Sequence, residues 1–266
     1  MAADGAPLRL LTYNVKHLAL DRAAVVSVLR ETGADVVAIQ EPPRGVFRYR
    51  LRRLAHVTDY RVVLRGRGAR TTVFLVRDAL GAGALGGRLP GGVVRARRLR
   101  LPVRGSRSRR AWPILRGAAI IEVHGLTVVD VHLSLDAAER ARHVEILRRL
   151  IASGPFGDGA GPGRVVLVGD LNEAPTDVSW RTLRAILDDA FDRVRPGPGD
   201  LDPADEPAQP LTFPAHEPRL RLDGILVGHE VEVHEVAVVD TPAARRASDH
   251  LPVLTLLGVR RAPAGR

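Results

Sequence analysis

Eight residues of this 266-residue chain have the side chains that phosphoryl chemistry uses. They are the carboxylates Glu41, Asp170, Asp223 and Asp249, the carboxamides Asn14 and Asn172, and the imidazoles His132 and His250. Each stands at or near the boundary of an expected strand, an arrangement that suits one polar mouth at the edge of a sheet. Carboxylates and carboxamides favour magnesium, with manganese as a substitute. Zinc is a poor match, because closely spaced His or Cys ligands are missing. A histidine beside a carboxylate, as in Asp249-His250, provides the means to orient and charge an imidazole near an attacked phosphorus. Plainer readings exist one residue at a time. Glu41 before two prolines reads equally as an exposed charge, and His132 among apolar neighbours as a hydrogen-bonded core residue.

The stretch Val165-Val166-Leu167-Val168-Gly169-Asp170-Leu171-Asn172 organises the rest. Four apolar residues read as a buried strand, and Gly169 marks where it must stop and turn. If extended geometry persists, Asp170 and Asn172 point the same way while Leu171 points into the core. Taken alone, the same residues also suit a simple turn.

The elements that must position these groups follow in order. Leu8 to Val15 alternates as a first strand, Asp21 caps a helix to about Thr32, Gly33 ends it, and Asp35 to Glu41 is a second strand. Tyr60 to Leu64 and Thr71 to Val76 pair across an Arg/Gly turn, while Gly81 to Pro113 reads as loops with one or two brief strands. Ala118 to Val123 and Thr127 to Leu133 form a hairpin around His124-Gly125, and Asp136 to Ile151 is a helix with an apolar inner face. Gly154 to Gly163 links it to the central strand. A helix from Thr176 to about Leu187, capped by Thr176 or Asp177, follows Asn172, and Arg195 to Pro210 reads as a mobile surface loop. Leu220 to Val227 and Val231 to Val239 are strands, and a last strand runs to about Leu257. This strand-helix-strand order implies sheets covered by helices.

No linker divides the chain, so 1–266 reads as one domain with frayed tails at 1–7 and 259–266. There is no cysteine, which excludes disulfides, thiolate metal sites and a cysteine nucleophile. No apolar run reaches membrane-spanning length and the amino terminus has no signal-peptide pattern, so the expectation is a cytoplasmic monomer with no membrane association. No heptad or fixed-period repeat suggests an interaction scaffold. The net charge of +10 invites a polyanion partner, and the arginines between Arg95 and Arg110 would form a basic patch if exposed. Lys16 is the only lysine, so part of the arginine excess reflects compositional bias.

Six blocks in one order resemble the endonuclease/exonuclease/phosphatase superfamily: Thr12-Tyr13-Asn14-Val15, Ile39-Gln40-Glu41, Val131-His132-Leu133, Gly169-Asp170-Leu171-Asn172, Arg221-Leu222-Asp223-Gly224-Ile225 and Ser248-Asp249-His250-Leu251-Pro252-Val253. The resemblance implies a four-layered α/β sandwich, two mixed sheets face to face with helices outside. It also implies that Glu41 binds a divalent metal with Asn14 and Asp249 close by, and that Asp170 aligns or deprotonates the attacking water. Asn172 would then hold the nucleophile or phosphate, His132 would donate to a nonbridging oxygen, and His250, oriented by Asp223, would act on the scissile phosphate as base or charged stabiliser. Two departures stand out. Lys16 stands where some abasic-site nucleases carry an acidic metal neighbour, and a cation there could instead meet substrate phosphate. Thr71-Thr72-Val73 offers only hydroxyls where many family nucleases have Asn or Tyr.

The expected function is therefore metal-dependent phosphodiester hydrolysis, with nucleic acid as substrate. One rival is the same chemistry on a small phosphorylated molecule or phospholipid head group. Another is a non-catalytic nucleic-acid-binding domain on the same scaffold.

Overall fold

A computed structural model describes residues 7–64, 69–77, 92–103, 114–194 and 210–260. The expected amino-terminal tail up to residue 6, the carboxy-terminal tail from 261, most of the loop at 195–210 and the basic stretch from 104 to 110 lie outside the described residues.

The first sheet contains β1 (Leu8–Asn14), β2 (Val36–Gln40), β3 (Tyr60–Val63), β4 (Thr72–Arg77), β11 (Val231–Val238) and β12 (Val253–Val259), in the order β11-β12-β1-β2-β4-β3. The second contains β5 (Val93–Arg100), β6 (Gly117–Val123), β7 (Leu126–His132), β8 (Val165–Asp170), β9 (Asp188–Asp189) and β10 (Asp223–Val227), in the order β5-β6-β7-β8-β10-β9. β1 with β2 and β7 with β8 are parallel, and the other pairings are antiparallel, so both sheets are mixed.

Strand alternation explains the packing. Leu8, Leu10, Val36, Ala38, Ile121, Val128, Val166, Val168 and Ile225 point between the sheets and form one core. The opposite face of the first sheet packs on α1 (Arg22–Thr32), α2 (Tyr49–Val57) and α6 (Pro242–Ala247). That of the second packs on α3 (Ala137–Ala152) and α4 (Val178–Arg184). The result is the expected four-layered sandwich. α1 begins where Asp21 Oδ1 accepts from Ala24 N and ends at Gly33, which adopts the left-handed conformation.

Several boundaries differ from the sequence reading. β8 does not turn at Gly169 but runs through it to Asp170. The glycine is required there by proximity, since a Cβ would collide with the Val131 carbonyl oxygen, and its φ is +133°. α4 is shorter than expected: it begins only after Asp177, whose carboxylate accepts from Ala174 N rather than from the helix, and the α-helix ends at Arg184. Leu220 is not in β10; it forms an isolated bridge with Phe213. Val259 and Arg260 are not frayed, as Val259 pairs with Val231 and Arg260 N donates to Glu230 O. α2, α6 and the short α5 (Ala190–Val194) were not anticipated. α2 is dense in arginine and buries only Leu51, Leu54 and Ala55, a single i, i+3, i+4 stripe in an otherwise polar stretch.

Candidate active site

The inter-sheet face changes character at one end. Along β1 the buried residues run Leu8, Leu10, Thr12, Asn14, and along β7 they run Val128, Asp130, His132. Gln40 bridges the transition, donating to Thr12 Oγ1 at 3.1 Å and Asp130 Oδ1 at 2.6 Å. Burial pushes the Asp130 carboxyl well up, against the lowering effect of its Gln40 hydrogen bond. This layer forms a polar floor between the apolar core and the charged residues above it.

On that floor the cross-strand register sets one row. His132 lies beside Asp170 on β8, and Asp170 lies beside Asp223 on β10. Asp170 is buried. Its Oδ2 accepts from Asn14 Nδ2 at 3.0 Å, and stands 3.5 Å from His132 Nε2 and 3.9 Å from His250 Nε2. The other ring nitrogen of His250, Nδ1, is 2.8 Å from Asp223 Oδ2, and the Phe213 ring packs against the imidazole at 4.9 Å between centroids.

Burial and the neighbouring Asp223 charge push the Asp170 carboxyl up to about 7, against the lowering effect of His250, Asn172 and Asn14. For His250, burial alone would lower its pKa. The Asp223 charge and hydrogen bond, with Asp170 and Asp249, outweigh it and raise His250 to about 9. Burial, then the charge of Arg116, hold His132 well below the usual imidazole range. The site thus has a neutral donor in His132, a cation in His250, and between them a carboxylate that can exchange its proton near neutrality.

A second group faces outward. Glu41 follows β2 in the left-handed conformation, φ 52°, with its N–H on Thr71 O. Its carboxylate is 3.4 Å from His17 Nε2 and 3.7 Å from His132 Nε2. Lys16 Nζ lies 2.8 Å from Asp249 Oδ2. Lys16, His17 and Leu18 all have positive φ, a conformation that costs non-glycine residues about 1 kcal/mol or more each. The turn is pinned by His17 N donating to Glu41 O at 2.8 Å. The turn brings the Lys16 ammonium onto Asp249 and the His17 ring onto Glu41.

All eight sequence-derived residues are at this end of the sheets, but two behave differently from the expectation. The extended geometry does not persist past Leu171. Asn172 turns at φ 52°, donates its N–H to Asp170 Oδ1 at 2.9 Å and its Nδ2 to Leu133 O at 2.9 Å, and so ties two loops together. Asp249 faces Lys16 instead of joining Glu41.

Other residues hold the site without belonging to any motif. Arg140 donates to Ser134 O and Leu135 O, and pairs with Glu173 at 2.6 Å, clamping the loops after His132 and Asn172. Thr212 Oγ1 accepts from Leu222 N and Asp223 N, while its carbonyl takes Leu251 N, which joins the Asp223 and His250 segments. Ser248 Oγ donates to Asn14 O at 2.7 Å.

Two groups of donors could hold a cation. Asp170, Asp223 and His250 offer ligand atoms within 4.8 Å of one another. Most of these atoms are already bonded to each other or to Asn14. Glu41 and Asp249, partly exposed, offer further carboxylate oxygens, which here face His17 and Lys16. An all-oxygen set suits a hard divalent ion.

The family model for the endonuclease/exonuclease/phosphatase family matches residues 11–250, a span that includes every residue of this site. The chain belongs to that family. Its three named activities share one reaction, hydrolysis of a phosphoester bond. No curated protein matches the sequence. Among solved structures, an endonuclease/exonuclease/phosphatase from Bacteroides vulgatus is similar at 16% identity and TM-score 0.69, covering 96% of this chain and 99% of that one. A mannosyl-6-phosphatase from Bacteroides thetaiotaomicron is similar at 16% identity and TM-score 0.63, covering 94% and 99%. A 2',3'-cyclic phosphatase, ANGEL2, is similar at 12% identity and TM-score 0.65, covering 98% and 97%. At these identities the likeness is one of fold. Among the described residues, no helix is long and apolar enough to cross a membrane.

Proposed function

We propose that this protein is a divalent-metal-dependent phosphodiesterase acting on nucleic acid. The observation that carries the hydrolytic reading is the buried row His132, Asp170, Asp223 and His250, in which neighbouring groups have opposite protonation preferences. Glu41 would hold magnesium or manganese, with Asn14 and Asp249 beside it. A divalent ion held there would supply positive charge to offset the charge that builds on the phosphoryl group.

The chain's own residues do the rest. Asp170, held by Asn14 and the Asn172 N–H, orients water in line with the phosphorus and takes its proton. His250, charged and fixed by Asp223, stabilises the negative charge that develops on the phosphoryl oxygens. His132, neutral, donates to one of them.

Support for a nucleic-acid substrate comes from the ground beside Glu41. After Pro42-Pro43 the chain exposes Arg44, Val46, Phe47, Tyr49, Arg52 and Arg53, with Arg50 over the Phe47 ring at 4.2 Å. Cations interleaved with exposed aromatic rings suit a backbone of phosphates with stackable bases. The arginines of β5 add less, since Arg95 pairs with Glu122 and Asp158, and Arg97 bonds Pro155 O. A second reading, a phosphatase of small phosphoesters, is favoured by the named activities of two structural neighbours.

Nicking of supercoiled plasmid in magnesium, titrated with salt, tests the choice. A nuclease should nick in a chelator-sensitive way and lose affinity steeply as salt rises. Activity on a small phosphomonoester, with intact plasmid and a shallow salt response, would assign the second reading.

A further inference from the structure

Strand β5 is an edge of the second sheet, and its two faces treat their arginines differently. One face turns toward α3. Leu99 packs with the core beneath that helix, and on the same face Arg95 pairs with Glu122 and Asp158 while Arg97 donates to Pro155 O. The other face turns between the sheets. Ala96 packs there on the inter-sheet core, and Arg98 and Arg100 follow it on that face. Both arginines are exposed, and neither has a hydrogen bond or ion pair among the described residues. Two like charges side by side on one strand face, with no carboxylate to offset them, favour an anionic partner.

Strand register lines this pair up with the active site. Arg100 pairs with Gly117, Ala118 with Val131, His132 with Asp170 and Asp170 with Asp223, so Arg100, Gly117, His132, Asp170 and Asp223 stand in one row across the sheet. Residues paired across strands share a face, so Arg100 is on the face that carries His132 and Asp170. Two strand spacings, about 10 Å, separate it from His132, and the residue between them in the row is a glycine, which puts no side chain in the way. Arg98, paired with Ala119, stands about 7 Å back along β5 on the same face.

We propose that Arg98 and Arg100 form a rail for the phosphates beside the scissile one, holding a polynucleotide strand where it leaves the catalytic row across β5. A phosphodiester chain carries an anion at every step, and an exposed guanidinium donates to those oxygens without regard to base. A small phosphoester that fills the catalytic row presents no further phosphate at the rail, so the rail selects for chain length. This inference rests on the nucleic-acid reading and names the form of that substrate, a strand that continues past the cut on the β5 side.

The test reads binding of a fluorescein-labelled oligothymidylate by anisotropy over a series of salt concentrations at fixed magnesium, in an Asp170→Asn background so that the strand stays whole. Replacing both arginines, Arg98→Gln with Arg100→Gln, should weaken binding roughly tenfold at low salt and lessen the slope of log affinity against log salt by about 1.4, or about 0.7 for each arginine. Arg98→Lys with Arg100→Lys keeps the charges and should keep the slope. Arg97→Gln, on the other face of the same strand, should change neither affinity nor slope. In protein with Asp170 intact, the double glutamine variant should hydrolyse bis(4-nitrophenyl) phosphate at the wild-type rate, because that diester does not reach the rail. An unchanged slope in the folded glutamine variant would overturn the proposal, and so would an equal loss in Arg97→Gln, which would mark a general effect of net charge. Binding of phosphatidylglycerol vesicles without binding of the oligonucleotide would also overturn it and give the strip to a membrane. A double glutamine variant that fails to fold would count against it, since the arginines would then be holding the edge strand. Wild-type protein that binds the oligonucleotide through both arginines and never cuts it would instead sink the nuclease reading and leave the rail as a binding surface.

Discussion

The inner and outer halves of the active site are built differently, although they stand side by side. The inner half, His132, Asp170, Asp223 and His250, is buried and fixed by strand register, with each side chain held by another. The outer half, Lys16, His17, Glu41 and Asp249, is partly exposed; the first three have left-handed backbone, and the two carboxylates face His17 and Lys16. The inner geometry suits proton transfer, which tolerates little displacement. The outer geometry suits a cation that must enter and leave. If the proposed roles hold, chemistry and metal binding should be separable by mutation, even though Glu41 and Asp170 share His132 as a neighbour.

The largest effect should follow from breaking the inner half. His250→Ala removes the cation over the scissile phosphate, and kcat on an activated diester should fall about 10³-fold at every magnesium concentration. Rescue by more magnesium would show that the inner half works through metal binding.

Breaking the outer half should look different. In Glu41→Gln the magnesium needed for half-maximal activity should rise roughly tenfold or more, with much of the kcat regained at saturation. A loss of kcat with an unchanged magnesium requirement would merge the two halves. Chelation should abolish activity in both proteins.

The pH profile sharpens the same contrast. Asp170 must lose its proton to act as base and His250 must keep its own, so kcat/KM should rise near pH 7 and fall near pH 9. These limbs belong to the coupled pair, and His250→Ala should remove the alkaline one. Glu41→Gln should leave both in place.

A smaller effect concerns stability. The folded pKa of His250 is raised above its ordinary 6.5, to about 9. Its contribution is therefore fully present below pH 6.5 and is lost as pH rises through 9. The melting temperature of the wild type should decline by a few degrees over that range, and Asp223→Asn should flatten the decline. A melting temperature that rises with pH there would reverse the assigned direction.

Much of this was legible in the sequence, and the exceptions have physical reasons. The ends of the apolar runs placed Asn14, His132, Asp170 and Asp223 at strand ends, where a buried face gives way to polar side chains that must find partners or solvent. For Asn172 the sequence left an extended strand and a turn both open, and the turn is decided by Leu133 O, a long-range partner that local spacing does not show. Lys16 was noticed as a departure, but its bond to Asp249 depends on a strained turn that no spacing encodes. Arg140 and Thr212 act through carbonyls and N–H groups, which carry no sequence identity.

The most direct measurement is turnover of bis(4-nitrophenyl) phosphate by Asp170→Asn in saturating magnesium, beside a melting curve showing that the fold is retained. Asparagine keeps the shape and cannot take a proton. The account predicts a kcat lower by about 10²–10⁴-fold with little change in the magnesium requirement. Turnover at the wild-type rate in folded protein would contradict it, and would remove Asp170 from the chemistry.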